Sequence, residues 1–341
     1  MAKLTEPNIP AGKREDLADL IVLLDAKQTP LLSMTKKGAK PGNTLMRWQV
    51  DSLPDAEIKQ GVVDGTDEDL ANVKNFVKDG EAQYRYELSN HIQEFRKTVR
   101  VSPLTLDIAN TAGVRDELSN NIAKGTLMLK RDMEKTFSSA NLPKADNGVN
   151  QGYVSRGLDA WVKNDVTGDS YLTVPEAFRT PVENICTVAT NELTDTDIQD
   201  VLTSMFDNTG IQRDYDLLGG TALKRAFTNL TNSTKVEAGE GSAVKVQTFN
   251  RDASSSQFIQ SVDFFEGDFG ALRLHTSHFL KSTQVGYIIP FDLLEIRYGG
   301  DIASITELTD NGGGPARLIK TVASLCCHNP LGFGKFDPSA A

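Results

Sequence analysis

Four imidazoles, three thiols and one dense run of carboxylates are the side chains of this 341-residue chain that invite a chemical reading. The imidazoles are His91, His275, His278 and His328. The spacing of His275 and His278 puts them on opposite faces of an expected strand, so they do not converge on a metal. Cys186, Cys326 and Cys327, two of them adjacent, form neither a disulfide framework nor a Cys-x-x-Cys metal pair, and read as small buried hydrophobes. Asp64, Asp67, Glu68 and Asp69 could collect a divalent cation, but no converging carbonyl ligands accompany them and the run reads as solvated acids. Gly219-Gly220 ahead of a helix opening at Thr221 has the outline of a phosphate loop without its Gly-x-x-x-x-Gly-Lys-Ser/Thr spacing, and reads as a helix-capping turn. The sequence holds no Gly-x-Ser-x-Gly elbow, His-Glu-x-x-His pair, Gly-x-Gly-x-x-Gly turn after a strand or EF-hand loop. No catalytic residue, cofactor or metal is therefore assigned, and an enzyme would need a site assembled from residues far apart in sequence.

The elements that stand out run from Asn43 to Ser138. In Asn43–Asp51, Leu45, Arg47, Gln49 and Asp51 alternate with Thr44, Met46, Trp48 and Val50, the period of a half-buried strand with Trp48 facing inward. From Ser52 to Gln83 the apolar pattern collapses; between Asp55 and Asp69 six acids (Asp55, Glu57, Asp64, Asp67, Glu68, Asp69) meet one lysine, Lys59. Such a segment buries too little apolar surface to order itself, and loops of this length are functional or disordered. Tyr84, Tyr86 and Leu88 restore alternation opposite Arg85 and Glu87, which predicts the returning arm of a long hairpin. Ser102-Pro103 then opens a helix, and Val114, Leu118, Ile122, Leu129, Met133 and Phe137 mark one apolar stripe that Ser138-Ser139 ends. Over that span a single helix would be roughly 50 Å long. Gly113 and Gly125 inside it cost about 1 kcal/mol each relative to alanine, so packing must hold it together.

The rest of the chain alternates short elements without a regular strand–helix repeat, which indicates an α+β class. Gly12 to Asp25 predicts an amphipathic helix ended by Gln28-Thr-Pro30, suited to an arm on a neighbour or on its own domain. A Gly- and Asn-rich connector covers Asn141 to Gly157, and Tyr171 to Val174 a short strand. Helices are expected over Thr194 to Gly210 and from Thr221, and strands at Tyr215 to Leu218, Val285 to Phe291 and Leu318 to Cys327. Asn232 to Ser242 reads as a mobile loop. A second hairpin runs from Phe258 through Gly267-Asp-Phe-Gly270 to Leu280, and Gly312-Gly-Gly-Pro315 is a turn. The composition is 39% hydrophobic with a net charge of −10, which argues against non-specific nucleic-acid binding but not against enclosing nucleic acid. No run reaches the length of a membrane span and Met1-Ala-Lys-Leu-Thr-Glu lacks a signal-peptide core, so synthesis in the cytoplasm is expected.

Three stretches carry a resemblance. Gly12-Lys-Arg-Glu-Asp-Leu through Gln28-Thr-Pro30, then Asn43-Thr-Leu-Met-Arg-Trp-Gln-Val-Asp-Ser-Leu53, then Val99-Arg-Val-Ser102 followed by Gly113, Glu117 and Leu129-Lys-Arg-Asp-Met-Glu134 are similar to three parts of one family. These are the N-terminal arm, the entry strand of the extended loop and the spine helix of tailed-phage major capsid proteins of the Hong Kong 97-type fold, Su-ten branch. The turn Asp268-Phe269-Gly270 and Leu318 to Phe336 fit too, so the resemblance spans nearly the whole chain. It implies an arm (1–42), an entry strand and extended loop (43–102), a spine helix with peripheral domain (103–172), an axial domain (173–311) and a sheet-closing C-terminal segment (312–341). It also implies a structural protein of the virion, assembled from itself as pentamers and hexamers into an icosahedral shell around double-stranded DNA.

The family has no catalytic residues to carry over, and no cofactor or membrane is expected. Intersubunit contacts are expected at Arg47, Trp48, Asp55, Glu57, Asp64, Asp67, Glu68, Asp69, Arg85, Arg115 and Glu117. Because the matched region starts within the first dozen residues, a separate scaffolding protein is the expected assembly partner, beside a portal and a possible decoration protein. Lys59, Lys74 and Lys78 lie where some relatives cross-link, but no lysine is singled out. Two other readings stay open: an encapsulin-like shell around a protein cargo, and a soluble α+β enzyme that would stay small.

Overall fold

The computed structural model describes residues 28–52, 58, 63–65, 85–107, 116–164, 174–190, 192–231, 234–238, 242–246, 263–280 and 284–338. Helix α1 (Pro30–Met34) is followed by strands β1 (Lys36–Gly38), β2 (Leu45–Asp51), β3 (Arg85–His91) and β4 (Gln93–Arg100). Helices α2 (Pro103–Asp107), α3 (Glu117–Phe137) and α4 (Leu158–Trp161) come next, then β5 (Ile185–Cys186), α5 (Asp195–Thr209), β6 (Arg213–Gly219) and α6 (Thr221–Thr231). The remainder is strands: β7 (Thr234–Ala238), β8 (Ser242–Val246), β9 (Phe264–Gly267), β10 (Gly270–Thr276), β11 (Gly286–Ile289) and β12 (Leu294–Tyr298). Last come β13 (Ser304–Leu308), β14 (Ala316–Cys327) and β15 (Gly334–Phe336). The chain divides into two compact units, one holding Arg96–Leu129 and Ala303–Lys320, the other Gln28–Phe95, Lys130–Ile302 and the chain from Thr321 onward.

In the first unit the expected continuous helix is two helices. Ser102 opens α2, its Oγ accepting the N–H of Thr105 at 3.3 Å, and the chain is not helical at Asp116. Helix α3 has its own start: the Asp116 carboxylate accepts the N–H of Leu118 at 3.0 Å and the Ser119 hydroxyl, which holds its pKa below the usual carboxylate range. At 21 residues α3 is about 30 Å long, still well above the usual three turns. Val114 of the expected stripe lies outside the described residues, as do Arg115 and Gly113. Gly125 is where close packing replaces helix propensity: a Cβ there would sit 2.7 Å from Ile319 Cδ1 and 3.1 Å from Val99 Cγ1. Strand β13 pairs antiparallel with Ala316–Lys320 of β14. Asp310 shapes their turn, its Oδ1 accepting from Gly312 N at 2.9 Å and Gly314 N at 3.0 Å, both glycines at positive φ.

In the second unit β2 and β3 pair antiparallel from Leu45 opposite His91 to Asp51 opposite Arg85, as the alternation predicts. Met46 and Val50 are buried while Arg47, Gln49 and Asp51 are exposed. Strand β12 lies between β1, parallel to it, and the Ala323–Cys327 end of β14, antiparallel to it. A six-stranded sheet of order β5-β15-β11-β6-β10-β9 packs with α5 and α6 around Leu202, Met205, Leu217, Phe227, Leu272 and Ile288. Helix α5 follows its sequence signals at both ends: Thr194 and Asp197 form a reciprocal capping box, and Gly210 takes the left-handed conformation at φ 65°.

Four expectations change in this unit. The segment read as a mobile loop, Asn232 to Ser242, holds β7, which pairs with β8 in a hairpin. The strand expected to reach Leu280 stops at Thr276, so His278 sits in a 3-10 turn rather than on a strand face. Pro30, expected only to end a preceding helix, begins one, its missing N–H costing nothing at the first helical position. Val174 is not in a strand. The expected helix over Gly12 to Asp25, Tyr171 to Thr173 and Phe258 to Val262 lie outside the described residues.

Gly157 is buried at the end of the connector, and a Cβ there would fall 2.0 Å from the Ser139 carbonyl oxygen and 3.1 Å from that of Thr136. Backbone cannot yield as a side chain can, so Gly157→Ala is expected to destabilise the subunit by about 1–3 kcal/mol. Gly152→Ala, which meets open space, should stay within about 0.5 kcal/mol of the parent. Denaturant midpoints of the two variants check the contrast.

Candidate functional site

The arms of the β2–β3 hairpin are rooted in the second unit by a buried polar clamp. Strand alternation places Asn90 on the inward side with Leu88, and its amide is fully buried. Asn90 Nδ2 donates to the Leu325 carbonyl at 2.6 Å and to Ser155 Oγ at 3.2 Å, while its Oδ1 accepts the N–H of Arg156 at 2.8 Å. Ser324 Oγ donates to the His91 carbonyl at 2.9 Å and lies 3.2 Å from Ser155 Oγ. The N–H of Ser155 reaches Gln93 Oε1 at 3.1 Å. Three segments distant in sequence, the end of β3, the connector at Ser155-Arg156 and β14, are thus held by side chains with partners. Leaving one such buried group unpaired costs about 1–3 kcal/mol.

The other arm is anchored by aromatic packing. Trp48 packs its ring 5.7 Å from that of Trp161 at a tilt of 49° and donates Nε1–H to the His328 carbonyl at 3.3 Å. The buried Arg156 guanidinium lies 4.6 Å from the Trp161 ring centroid, a cation–π contact worth about 1–2 kcal/mol when desolvated. Tyr86 meets Phe178 edge-on at 5.5 Å. Burial lowers the pKa of His91, beside the Tyr153 ring at 5.4 Å.

A second anchor joins the start of the described chain to α3. Glu134 is fully buried, and its two oxygens accept the N–H groups of Leu31 and Leu32, each at 2.9 Å. Those are first-turn donors of α1, which have no partner inside their own helix. Burial raises the Glu134 pKa to about 7 against the opposing pull of the two N–H groups. Elsewhere in the unit the buried Lys335 ammonium lies between Asp159, at 2.7 Å, and Asp337, at 2.5 Å, and Tyr287 donates its hydroxyl to Asp159 at 2.9 Å. This ties α4, β11 and β15 through one ammonium shared by two carboxylates.

The residues expected at intersubunit contacts fall in different places. Arg47 and Arg85 are exposed on the hairpin and paired within it, Arg47 to Glu87 at 2.9 Å and Arg85 to Asp51 at 3.5 Å. Pairs this exposed contribute under about 1 kcal/mol. Trp48 sits at the root just described, and Asp64 is exposed in a turn with Gly65 at φ 80°. Glu117 begins α3, its Oε2 without a hydrogen-bond partner. Asp55, Glu57, Asp67, Glu68, Asp69 and Arg115 lie outside the described residues.

The turn at Gly219-Gly220 is no phosphate site: the cavity beside it holds about 10 Å³, room for one water. Its lysine, Lys224, is paired with Asp263. The three cysteines are free and buried, and burial pushes the Cys326 thiol up to about 12. Among the described residues no helix is long and apolar enough to cross a membrane. Asn90, Ser155, Ser324 and Glu134 are the anchors that the sequence reading missed. The available signal was a polar residue on an apolar face: Asn90 two after Leu88, and Glu134 beside Met133 in the stripe.

A long hairpin pinned at its root, an overlong helix and a six-stranded α+β unit together make the Hong Kong 97-type capsid fold, and solved structures agree. A Microbacterium phage Oxtober96 structure matches at a TM-score of 0.56 and 12% identity, covering 99% of this chain and 100% of that one. A capsid asymmetric unit of cyanophage A-1(L) matches at 0.57 and 12% identity, covering 98% of each chain. The holo-SrpI encapsulin complex of Synechococcus elongatus matches at 0.53 and 9% identity, covering 99% of this chain and 96% of that one. A search of curated proteins by sequence finds no match. The chain belongs to the SU10 major capsid protein family, whose model matches residues 4–339. It is a virion protein of a tailed phage that associates with itself into a capsid shell.

Asn90→Leu keeps the volume and removes every bond of the amide, and is expected to cost roughly 2–4 kcal/mol and to speed amide exchange over Arg85–His91. A midpoint and exchange pattern equal to the parent's would contradict the clamp. For Glu134 the folded pKa, about 7, lies above the ordinary 4.5. Its stabilising contribution is therefore fully present below pH 4.5 and is lost as the pH rises through 7, a change of roughly 3 kcal/mol. Glu134→Gln should flatten that part of the stability–pH profile, measured as denaturant midpoints from pH 4 to pH 8.

Proposed function

We propose that the protein assembles as pentamers and hexamers into an icosahedral head around double-stranded DNA, each subunit laying the loop between β2 and β3 over its neighbour. The observation that carries this reading is the hairpin itself: both arms are fixed to their own subunit, while the intervening 33 residues, 52–84, hold the acid-rich run from Asp55 to Asp69. Such a composition buries little surface alone and orders against a partner. Heterologous contacts of this kind close rings when the rotation closes.

In this reading residues 1–42 form the arm, 43–102 the entry strand and extended loop, and 103–172 the spine and peripheral domain. Residues 173–311 form the axial domain, and 312–341 the closing segment. Arg47, Arg85, Glu117 and the loop acids Asp55, Glu57, Asp64, Asp67, Glu68 and Asp69 meet the neighbouring subunit with Arg115, while Trp48 fixes the hairpin from inside. The role is structural, without a catalytic step. A separate scaffolding protein, a portal and a decoration protein are the expected partners.

Negative-stain images of the purified protein, with its scaffold co-expressed, should show closed shells. Deleting Asp55 to Asp79 should leave folded subunits that form none. Normal particles from the deletion variant contradict the loop's role. Shells that hold protein cargo and no nucleic acid would instead indicate an encapsulin-like compartment, and a species that stays small in both samples a soluble enzyme.

A further inference from the structure

We infer that Glu295, Cys326 and His328 form a zinc-class metal site on one face of the β1-β12-β14 ladder. The register supplies the first support. Glu295 on β12 is the direct cross-strand partner of Cys326 on β14, and the ladder continues one step, His328 N–H donating to the Leu293 carbonyl at 2.9 Å. Cys326 and His328 are two apart, so their side chains share a face, and Glu295 opposite Cys326 shares it too. The distances agree. One ligand atom from each residue lies within 4.8 Å of the others, with Glu295 Oε1 3.5 Å from His328 Nε2.

A thiolate, an imidazole and a carboxylate are the donor types that zinc takes, and three protein donors leave one position for water. Magnesium and calcium, which require oxygen ligands, do not suit a set with sulfur and nitrogen. Binding displaces one proton, from the Cys326 thiol to solvent, as the sulfur–metal bond forms. Two neighbours shape the site. Arg297 donates to Glu295 Oε1 at 2.5 Å, so the guanidinium must release that oxygen to the ion or hold the carboxylate as it binds through the other. Gly38 on β1 leaves the space these side chains use: a Cβ there would lie 2.6 Å from Glu295 Cδ and 2.8 Å from Arg297 Cγ.

Access is from the His328 side. That side chain is 36% exposed, Glu295 is 19% exposed and Cys326 is fully buried behind them. Because the His328 carbonyl accepts the Trp48 indole N–H, an ion here would stiffen the root of the hairpin in the subunit, whether or not shells form.

Cobalt(II) reports thiolate ligation directly. Untagged, reduced, full-length protein titrated with cobalt(II) should develop a thiolate-to-cobalt charge-transfer band that saturates at one ion per chain and is erased by zinc. Cys326→Ala should abolish the band, Cys186→Ala should keep it, and His328→Ala, which alters a partly exposed side chain, should weaken cobalt affinity by more than about tenfold. A folded parent with no such band overturns the site. So does a band that survives Cys326→Ala, or, should that variant fail to fold, full affinity in His328→Ala.

Discussion

The hydrogen bonds of the Asn90 amide are the constraint on which the rest of this subunit turns. A long hairpin with charged, exposed arms has little reason of its own to stay on the molecule that makes it. Asn90 supplies one: it is satisfied only when β3, the Ser155-Arg156 connector and the Leu325 carbonyl are all in place. A buried polar network with every member paired specifies one arrangement, because each alternative leaves donors or acceptors stranded. The apolar half of the root, Trp48 against Trp161 with Arg156 beside it, adds area without adding direction.

Glu134 plays a similar part by a costlier route. A neutral amide sits in the core at little electrostatic cost, whereas a carboxylate there must be desolvated, and burial raises its pKa. What it returns is a definite start for α1, a five-residue helix too short to hold itself in water. The chain that precedes α1 is the segment that resembles a capsid arm.

What the sequence disclosed follows from range. Period-2 alternation reported β2 and β3, and local caps reported α5 within a residue, because those signals lie inside the element they describe. The break between α2 and α3 was hidden by a stripe whose spacing continued across it, and the Asp116 cap was overlooked among other acids. Strands β12 and β13 went unread because they are short and half-exposed, and the β7–β8 pair because its composition is polar. The partners of Asn90 lie 65 and 235 residues away and those of Glu134 about a hundred, and no local pattern carries such pairings. The Glu295–Cys326–His328 face depended likewise on a register between strands. Of the expected contact residues, the hairpin arginines were legible as exposed charge, whereas the anchoring function of Trp48 needed the fold.

The central claim is that the hairpin is fixed at its root by its own subunit and beyond it by a neighbour. Amide hydrogen exchange, compared between free subunits and assembled shells, tests it most directly. The account predicts that Leu45–Asp51 and Arg85–His91 are protected in both states and that residues 52–84 gain protection only in the shell. Protection of 52–84 in the free subunit, or rapid exchange of the same residues in the shell, would contradict it.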